Sequence, residues 1–227
     1  MYEKQLIALI DEAKKFHKNN VPIELEVRFG RIENGEFKSG FSAGRFRMLR
    51  DWMDQSKLTS SNWCESMSTF VGKHERCIVT KGANLKVTNI EKMEKRPIGE
   101  LILKSNHPEG ICIKICLYTE KPITSKTATT VSMVRLRQRK SYSLNSVGFD
   151  KSFSLDFTLV WQGPSERVVK EMQRAGNSTR YEMEMELTNL DYLANKSSTF
   201  LADSIVGKCK SLFQSEMAVN KTIEFSL

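Results

Sequence analysis

Two stretches of the sequence indicate the fold: Ile23-Glu24-Leu25-Glu26-Val27-Arg28-Phe29-Gly30 and Tyr181-Glu182-Met183-Glu184-Met185-Glu186-Leu187. Both stretches alternate charged and apolar residues. Successive side chains of a β-strand point to opposite faces, so each stretch has one charged and one apolar face. Glutamates that share a face repel one another unless solvent, cations or basic side chains neutralise them. The two stretches therefore predict β-strands whose charged faces need cationic partners.

Three further stretches alternate in the same way. The residues that share their polar faces are Arg135, Arg137 and Arg139; Ser154, Asp156 and Thr158; and Lys114, Tyr118 and Glu120. An ordinary solvated sheet face also alternates, but it mixes charge signs because opposite charges across strands stabilise a sheet. Here the signs are segregated by strand. With the rich apolar faces, this favours a sheet closed on itself, with the charged face inward and the apolar face under helices.

The fold class predicted for the chain is α+β, with helices packed outside the closed sheet. Helical spacing predicts a first helix over residues 1–20, a second that begins near Ser42, and a third over about 197–217. Strands are expected from about 22 to 190, and everything between roughly 60 and 190 is interpreted as strand and turn. The charged segment Lys170–Arg180 is interpreted as a solvated hairpin end, with contact to RNA as the alternative. No Pro/Gly/Ser-rich linker divides the chain, so we expect a single domain over 1–227.

Composition narrows the function. The chain has 227 residues and a formal net charge of +8; 40% of its residues are hydrophobic and 27% are charged. This composition is ordinary for a folded protein and excludes a fibrous or disordered one. No apolar run approaches 18 residues, so no membrane span is expected. The five scattered cysteines, without an export signal, indicate reduced thiols in an intracellular protein. The positive charge points weakly to an anionic partner.

The segregated charges indicate which ligands the lumen would bind. Clustered carboxylates bind a hard divalent cation, which prefers oxygen ligands. Clustered arginines and lysines bind phosphate oxygens. A lumen that holds both suits a metal-dependent site for a polyphosphate. No Gly-rich phosphate loop and no Ser/His or Cys/His nucleophile pattern is present.

At these residues the chain resembles a known family. ELEVRFG at 24–30 and EMEMEL at 182–187 resemble the tunnel-type RNA 5′-triphosphatases, the metal-dependent mRNA capping enzymes of fungi, protists and large DNA viruses, within the triphosphate tunnel metalloenzymes. RLRQRKSY at 135–142, SLDFTLV at 154–160 and LYTEKPI at 117–123 match in the expected order. The resemblance implies an eight-stranded antiparallel tunnel that removes the γ-phosphate from nascent RNA, the first step of capping, with Mn²⁺ or Mg²⁺. It also implies activity on free nucleoside triphosphates.

The resemblance implies roles for particular residues. The metal would be held by Glu24, Glu26, Glu184 and Glu186, with Glu182 as a further candidate. Glu120 would place the attacking water, and Asp156 would orient an arginine or a water. The triphosphate would be bound by Arg135, Arg137, Arg139 and Lys114, and more weakly by Arg76. The region 85–97 would supply a further contact, from Arg96 ahead of Lys95 and Lys92.

The resemblance leaves alternatives open. Arg28 stands where the broader superfamily has Lys, which favours the capping branch over thiamine-triphosphatase and adenylate-cyclase relatives. No Lys-x-Asp-Gly motif is present, so an RNA guanylyltransferase is expected as a fused or recruited partner. The alternatives are a triphosphatase for a small molecule or inorganic polyphosphate, and a non-catalytic RNA-binding scaffold. The expected location is intracellular: the nucleus in a eukaryote, or the cytoplasm, virus factory or virion for a virus.

Overall fold

The structure is a computed structural model. It describes residues 2–56, 58–71, 74–81, 87–124, 131–143, 152–176, 178, 180–214 and 222–227. The first two residues of the region 85–97 and the end of the helix expected to reach 217 lie outside these described residues.

Ten strands form one sheet in the described part of the chain. They are β1 Ile23–Glu33, β2 Glu36–Ser39, β3 Cys64–Val71, β4 Glu75–Lys81, β5 Val87–Ser105, β6 Ile111–Pro122, β7 Val131–Ser143, β8 Phe153–Gly163, β9 Arg180–Leu187 and β10 Phe225–Ser226.

Eight of these strands close into an antiparallel barrel. The order around it is β1-β6-β5-β4-β3-β7-β8-β9, and β9 returns to β1. β2 extends β1 as a hairpin, and β10 pairs with the end of β5, so both lie outside the ring. The expected closed tunnel is therefore confirmed, with two additional strands.

The strand alternation sets the direction of every side chain in the barrel wall. Leu25, Val27 and Phe29 of β1 are buried on the outer face, where the helices pack. Leu6 and Phe46 bring α1 and α2 into the same core. The charged residues of the same strands consequently point into the lumen.

Five helices are present in the described residues: α1 Tyr2–Lys18, α2 Ala43–Gln55, α3 Glu166–Arg174, α4 Leu190–Asn195 and α5 Ser198–Gln214. The expected cap at Ser42 is present, since its side chain accepts a hydrogen bond from the Arg45 amide at 3.3 Å. None of these helices is long and apolar enough to cross a bilayer.

One expectation within 60–190 is wrong. The segment interpreted as a hairpin end contains most of α3, which Ser165 caps by accepting from the Val168 amide. The helix is dominated by charged residues, and Val169 is its buried anchor. The helix spans only nine residues, about two and a half turns, so its amphipathic pattern repeats too few times to stand out between two strands. It covers a second, smaller core around Leu136 and Trp161.

Candidate active site

A polar cavity of about 230 Å³ lies inside the barrel. Six of the eight barrel strands contribute to it, and its described charged lining comprises seven glutamates and six cations. The lining residues are Glu24, Glu26, Arg28, Arg76, Ile78, Glu91, Met93, Lys95, Glu120, Arg135, Arg137, Arg139, Glu182, Glu184 and Glu186. The structure therefore brings together all five predicted metal-binding glutamates, Glu120 and five of the seven predicted phosphate contacts.

The acidic wall of the cavity comes from β1 and β9. Glu26 lies opposite Glu186 in the strand register, and Arg28 lies opposite Glu184. Glu26 is 3% exposed, and burial, Glu184 and Glu24 together raise its pKa well above the ordinary value. Burial, Glu24 and Asp156 raise the pKa of Glu186 to about 7. The wall is thus a crowded carboxylate cluster that favours either protons or cations.

Arg28 partly neutralises this wall. Its Nη2 lies 2.5 Å from Glu26 Oε1, and its Nε lies 3.3 Å from Glu184 Oε1. Burial alone would raise the pKa of Glu184, but Arg28 and Arg139 hold that pKa below its ordinary value. Two glutamates of the wall therefore have opposite tendencies: Glu184 stays ionised, whereas Glu26 resists ionisation.

The basic wall comes from β7. Arg135 Nη2 lies 2.9 and 2.8 Å from the two carboxylate oxygens of Glu182. Arg139 lies between Asp156 Oδ2 at 2.8 Å and Glu184 Oε2 at 3.4 Å. Both arginines are therefore fixed by carboxylates from β8 and β9.

Arg137 differs from its two neighbours. Its Nη2 donates to Ser68 Oγ at 2.9 Å, and it pairs with no carboxylate among the described residues. Burial, then Arg139 and Arg135, lower the pKa of Arg137 to about 10. A buried guanidinium beside other cations is costly without a counter-ion. The vicinity of Arg137 is accordingly the part of the lumen that most favours an added anion.

A second charged group lies across the cavity from these arginines, on β4, β5 and β6. Arg76 Nη2 donates to Glu120 Oε1 at 2.7 Å, and Lys95 pairs closely with Glu24. Lys95 Nζ also lies 4.0 Å from Glu120 Oε1. Burial and Glu24 raise the pKa of Glu120. Arg76, the weakest of the sequence candidates, is thus within the cavity.

The structure places Lys95, and not Arg96, at the cavity. The Lys95 side chain is 12% exposed and lines the cavity, whereas that of Arg96 is 64% exposed and pairs with Glu94 outside it. Adjacent strand residues face opposite ways, so one of the two had to point outward.

Two other candidates lie near the cavity but do not line it. Asp156 is 4% exposed and contacts Arg139 from β8, which makes it a support for that arginine. Lys114 pairs with Glu100 at 2.6 Å and faces a different cavity beyond Arg28.

Sequence reasoning missed two polar members of the site, Glu91 and Ser68, and gave no role to Tyr118, which it had placed on a polar strand face. Glu91 lines the cavity two strand positions from Met93 and four from Lys95, so the period of two along β5 was the available signal. Ser68 contacts Arg137 from β3, and Tyr118 lies under Lys95, whose Nζ is 4.2 Å from the ring centroid. Nothing in the sequence around Ser68 distinguishes it from an ordinary strand serine.

The acidic wall has the donor chemistry for a divalent cation. Its carboxylate oxygens are hard ligands, and their crowding is relieved by added positive charge. Among the described residues, no three carboxylate, imidazole or thiol groups converge into a ready-made cation cage. Arg28 and Lys95 instead contact these carboxylates. The residues therefore fit a cation by type, and binding one requires the glutamates to exchange contacts with these two side chains.

Fold and site together define a closed β-tunnel with a lumen lined by an acidic and a basic wall. No protein-family model matches the sequence, and no curated protein matches it. In structure the chain is similar to the S. pombe Pct1 RNA triphosphatase, with a TM-score of 0.65 and 15% identity over 92% of this chain and 91% of that one. For a structure of Pct1 in complex with the Spt5 CTD, the TM-score is 0.64 and the sequence identity is 16%, again over 92% of this chain and 91% of that one. At this identity the likeness establishes the tunnel fold.

Proposed function

We propose that the protein is a metal-dependent hydrolase that removes the γ-phosphate from the 5′-triphosphate end of RNA. The observation that carries the proposal is the position of Arg137: it is buried, among other arginines, with no carboxylate partner in the described residues, in a cavity that also holds a crowded acidic wall. A triphosphate chain supplies the missing negative charge. The tunnel fold shared with an RNA triphosphatase supports the same class of substrate.

The basic wall would bind the phosphates. Arg137 has donors that no carboxylate occupies, so it would contact the chain directly. Arg135 and Arg139 are held by Glu182 and Asp156 and would approach it from fixed positions. Preorganised cations of this kind stabilise the charge that develops on transferring phosphoryl oxygens.

The acidic wall would hold Mn²⁺ or Mg²⁺ through Glu24, Glu26, Glu184 and Glu186. Glu182 contacts Arg135 with both oxygens, so its part is to position that arginine. Bound there, a divalent cation supplies Lewis-acid polarisation of a phosphoryl oxygen. Arg28 and Lys95 would then be free to contact phosphate.

Glu120 would orient the attacking water. It lies in the cavity between Arg76 and Lys95, and its raised pKa makes it a better proton acceptor than an ordinary glutamate. Arg76 fixes the carboxylate by contacting Oε1. A fused or recruited guanylyltransferase would use the resulting diphosphate end.

The test is phosphate release by the purified protein with and without Mn²⁺. The substrates are γ-labelled triphosphate-ended RNA, γ-labelled ATP and inorganic tripolyphosphate, each used at the same concentration. The proposal predicts manganese-dependent release of the γ-phosphate alone, with RNA as the better substrate. Preference for tripolyphosphate would indicate a polyphosphatase, and metal-independent RNA binding with no release from any substrate would indicate a scaffold.

A further inference from the structure

A second cavity, of about 460 Å³, opens at one end of the barrel. We infer that this mouth cavity binds the single-stranded RNA that follows the triphosphate end, and so distinguishes RNA from free nucleotides. The inference rests on the proposed function, which places the triphosphate in the lumen. Apart from Arg28, the residues that it concerns lie outside the lumen cavity. The mouth cavity is lined by Arg28, Arg31, Glu33, Phe37, Lys38, Ser39, Gly40, Phe41, Lys114, Arg180 and Tyr181.

The two cavities meet at Arg28, which lines both. Lys114 is its register partner on β6. A strand rises about 3.3 Å per residue, so Arg28 lies roughly 13 Å along β1 from Glu24. The lumen cavity, at about 230 Å³, is smaller than the roughly 300–1,000 Å³ of pockets that enclose small organic ligands. With the phosphates in the lumen, the nucleoside and the following nucleotides would need space outside it, and the mouth cavity adjoins it.

The mouth cavity has a strong charge asymmetry. Its described lining contains five cations and one carboxylate, Glu33. The Arg31–Glu33 and Lys38–Glu36 ion pairs are both largely exposed. Exposed ion pairs of this kind contribute little to stability, so exchanging one for a phosphate contact costs little.

Arg180 is the most available of these cations. It is 50% exposed, and its Nη1 lies 3.9 Å from Glu182 Oε1. Both oxygens of Glu182 already contact Arg135 at closer range. Arg180 therefore presents a cation at the rim that no close carboxylate neutralises among the described residues.

Aromatic rings accompany these cations. Phe37, Phe41 and Tyr181 are half-buried and line the same cavity. Surfaces that bind single-stranded nucleic acids usually combine two features. Their cations contact the phosphate backbone, and aromatic rings between those cations stack on the bases. This combination favours RNA over an acidic peptide, which would need the cations but not the rings.

The experiment measures binding of a 5′-hydroxyl RNA ten-mer by fluorescence anisotropy across a range of salt concentrations. The variant is Lys38→Ala with Arg180→Ala, and the matched control is Lys4→Ala with Lys15→Ala, two exposed lysines of α1. Each lost phosphate contact should reduce the slope of log K against log salt by about 0.7. For the mouth variant we expect the magnitude of this slope to fall by about 1.4. We also expect its affinity for RNA at low salt to fall tenfold or more. The control variant should match wild type in both quantities.

Hydrolysis separates this inference from the proposed function. For the mouth variant we expect kcat/KM to fall about tenfold for triphosphate-ended RNA and to stay within twofold for ATP. Unchanged RNA binding in the variant, or equal competition by polyglutamate, would overturn the mouth inference while leaving γ-phosphate release intact. RNA binding that depends on the mouth residues, in a protein that releases no phosphate, would support the mouth and overturn the function.

Discussion

Glu26 and Glu186 lie directly opposite each other on β1 and β9, and both line the lumen cavity. Like charges placed opposite each other across strands destabilise a sheet. Arg28 contacts Glu26 at 2.5 Å, and burial with neighbouring carboxylates raises the pKa of both glutamates. Burial of these two glutamates among Glu24, Glu184 and Asp156 thus creates an electrostatic cost that a bound cation would remove.

The acidic wall makes a first prediction about metal binding. Replacing Glu26 by Gln keeps the shape of the side chain and removes a hard ligand. We expect Mn²⁺ affinity, measured by electron paramagnetic resonance titration, to fall at least tenfold, and hydrolysis to fall about a hundredfold. Glu94→Gln, outside the cavity beside Arg96, is the matched control. Wild-type Mn²⁺ affinity in the Glu26 variant would refute its role as a ligand.

A second prediction concerns pH and stability without metal. The pKa of Glu186 is about 7, above its ordinary value of 4.5. Between those values the folded protein binds more protons than the unfolded chain, so the free energy of unfolding falls as the pH rises. Glu186→Gln removes this titration. We expect the stability of the variant relative to wild type to increase from about pH 5 to 8, by roughly 1–3 kcal/mol.

Urea unfolding in EDTA at several pH values measures this difference. A difference that stays constant with pH, or shrinks as the pH rises, would show that Glu186 is not crowded in the folded protein.

A third prediction concerns Asp156 as a positioning residue. Asp156→Asn keeps the size of the side chain but removes the charge that holds Arg139. We expect KM for triphosphate-ended RNA to rise about tenfold or more, with a smaller change in kcat. The matched control is Asp54→Asn, which weakens the contacts to Lys140 and Tyr142 elsewhere in the structure. That control should lower stability and leave KM within twofold; equal KM effects in both variants would contradict the assignment.

A fourth prediction concerns the close approach of β1 and β2 beside the mouth cavity. A Cβ at Gly30 would lie 2.1 Å from the backbone oxygen of Lys38, so Gly30→Ala forces β1 and β2 apart. Overpacking of this kind typically costs about 1–3 kcal/mol. Gly44→Ala is the control, because nothing lies within 4 Å of its Cβ and alanine favours the α2 helix. Thermal unfolding should show a lower Tm for the first variant and an equal or higher Tm for the second.

Much of the site could be predicted because it follows from alternation alone. The period of two placed Glu24 and Glu26 on one face, and likewise Arg135, Arg137 and Arg139 on another. Closure of the barrel then brings these faces together around one lumen.

The remaining errors have local physical causes. β5 shifts register between Pro97 and Gly99 and lacks a clear apolar face, so its sequence does not indicate whether Lys95 or Arg96 points inward. The difference between Arg137 and its neighbours depends on which carboxylates β8 and β9 place beside them. A single sequence does not contain that information.

The most direct test of the account is manganese-dependent γ-phosphate release from triphosphate-ended RNA by Arg137→Ala, compared with Arg96→Ala. Both variants remove one β-strand arginine, but Arg137 lines the lumen cavity and Arg96 lies outside it. For Arg137→Ala we expect kcat/KM to fall at least a hundredfold, about 2.7 kcal/mol of transition-state stabilisation. For Arg96→Ala we expect kcat/KM to stay within twofold of wild type. Full release by Arg137→Ala, with the variant folded, would contradict the assignment of the lumen as the triphosphate site.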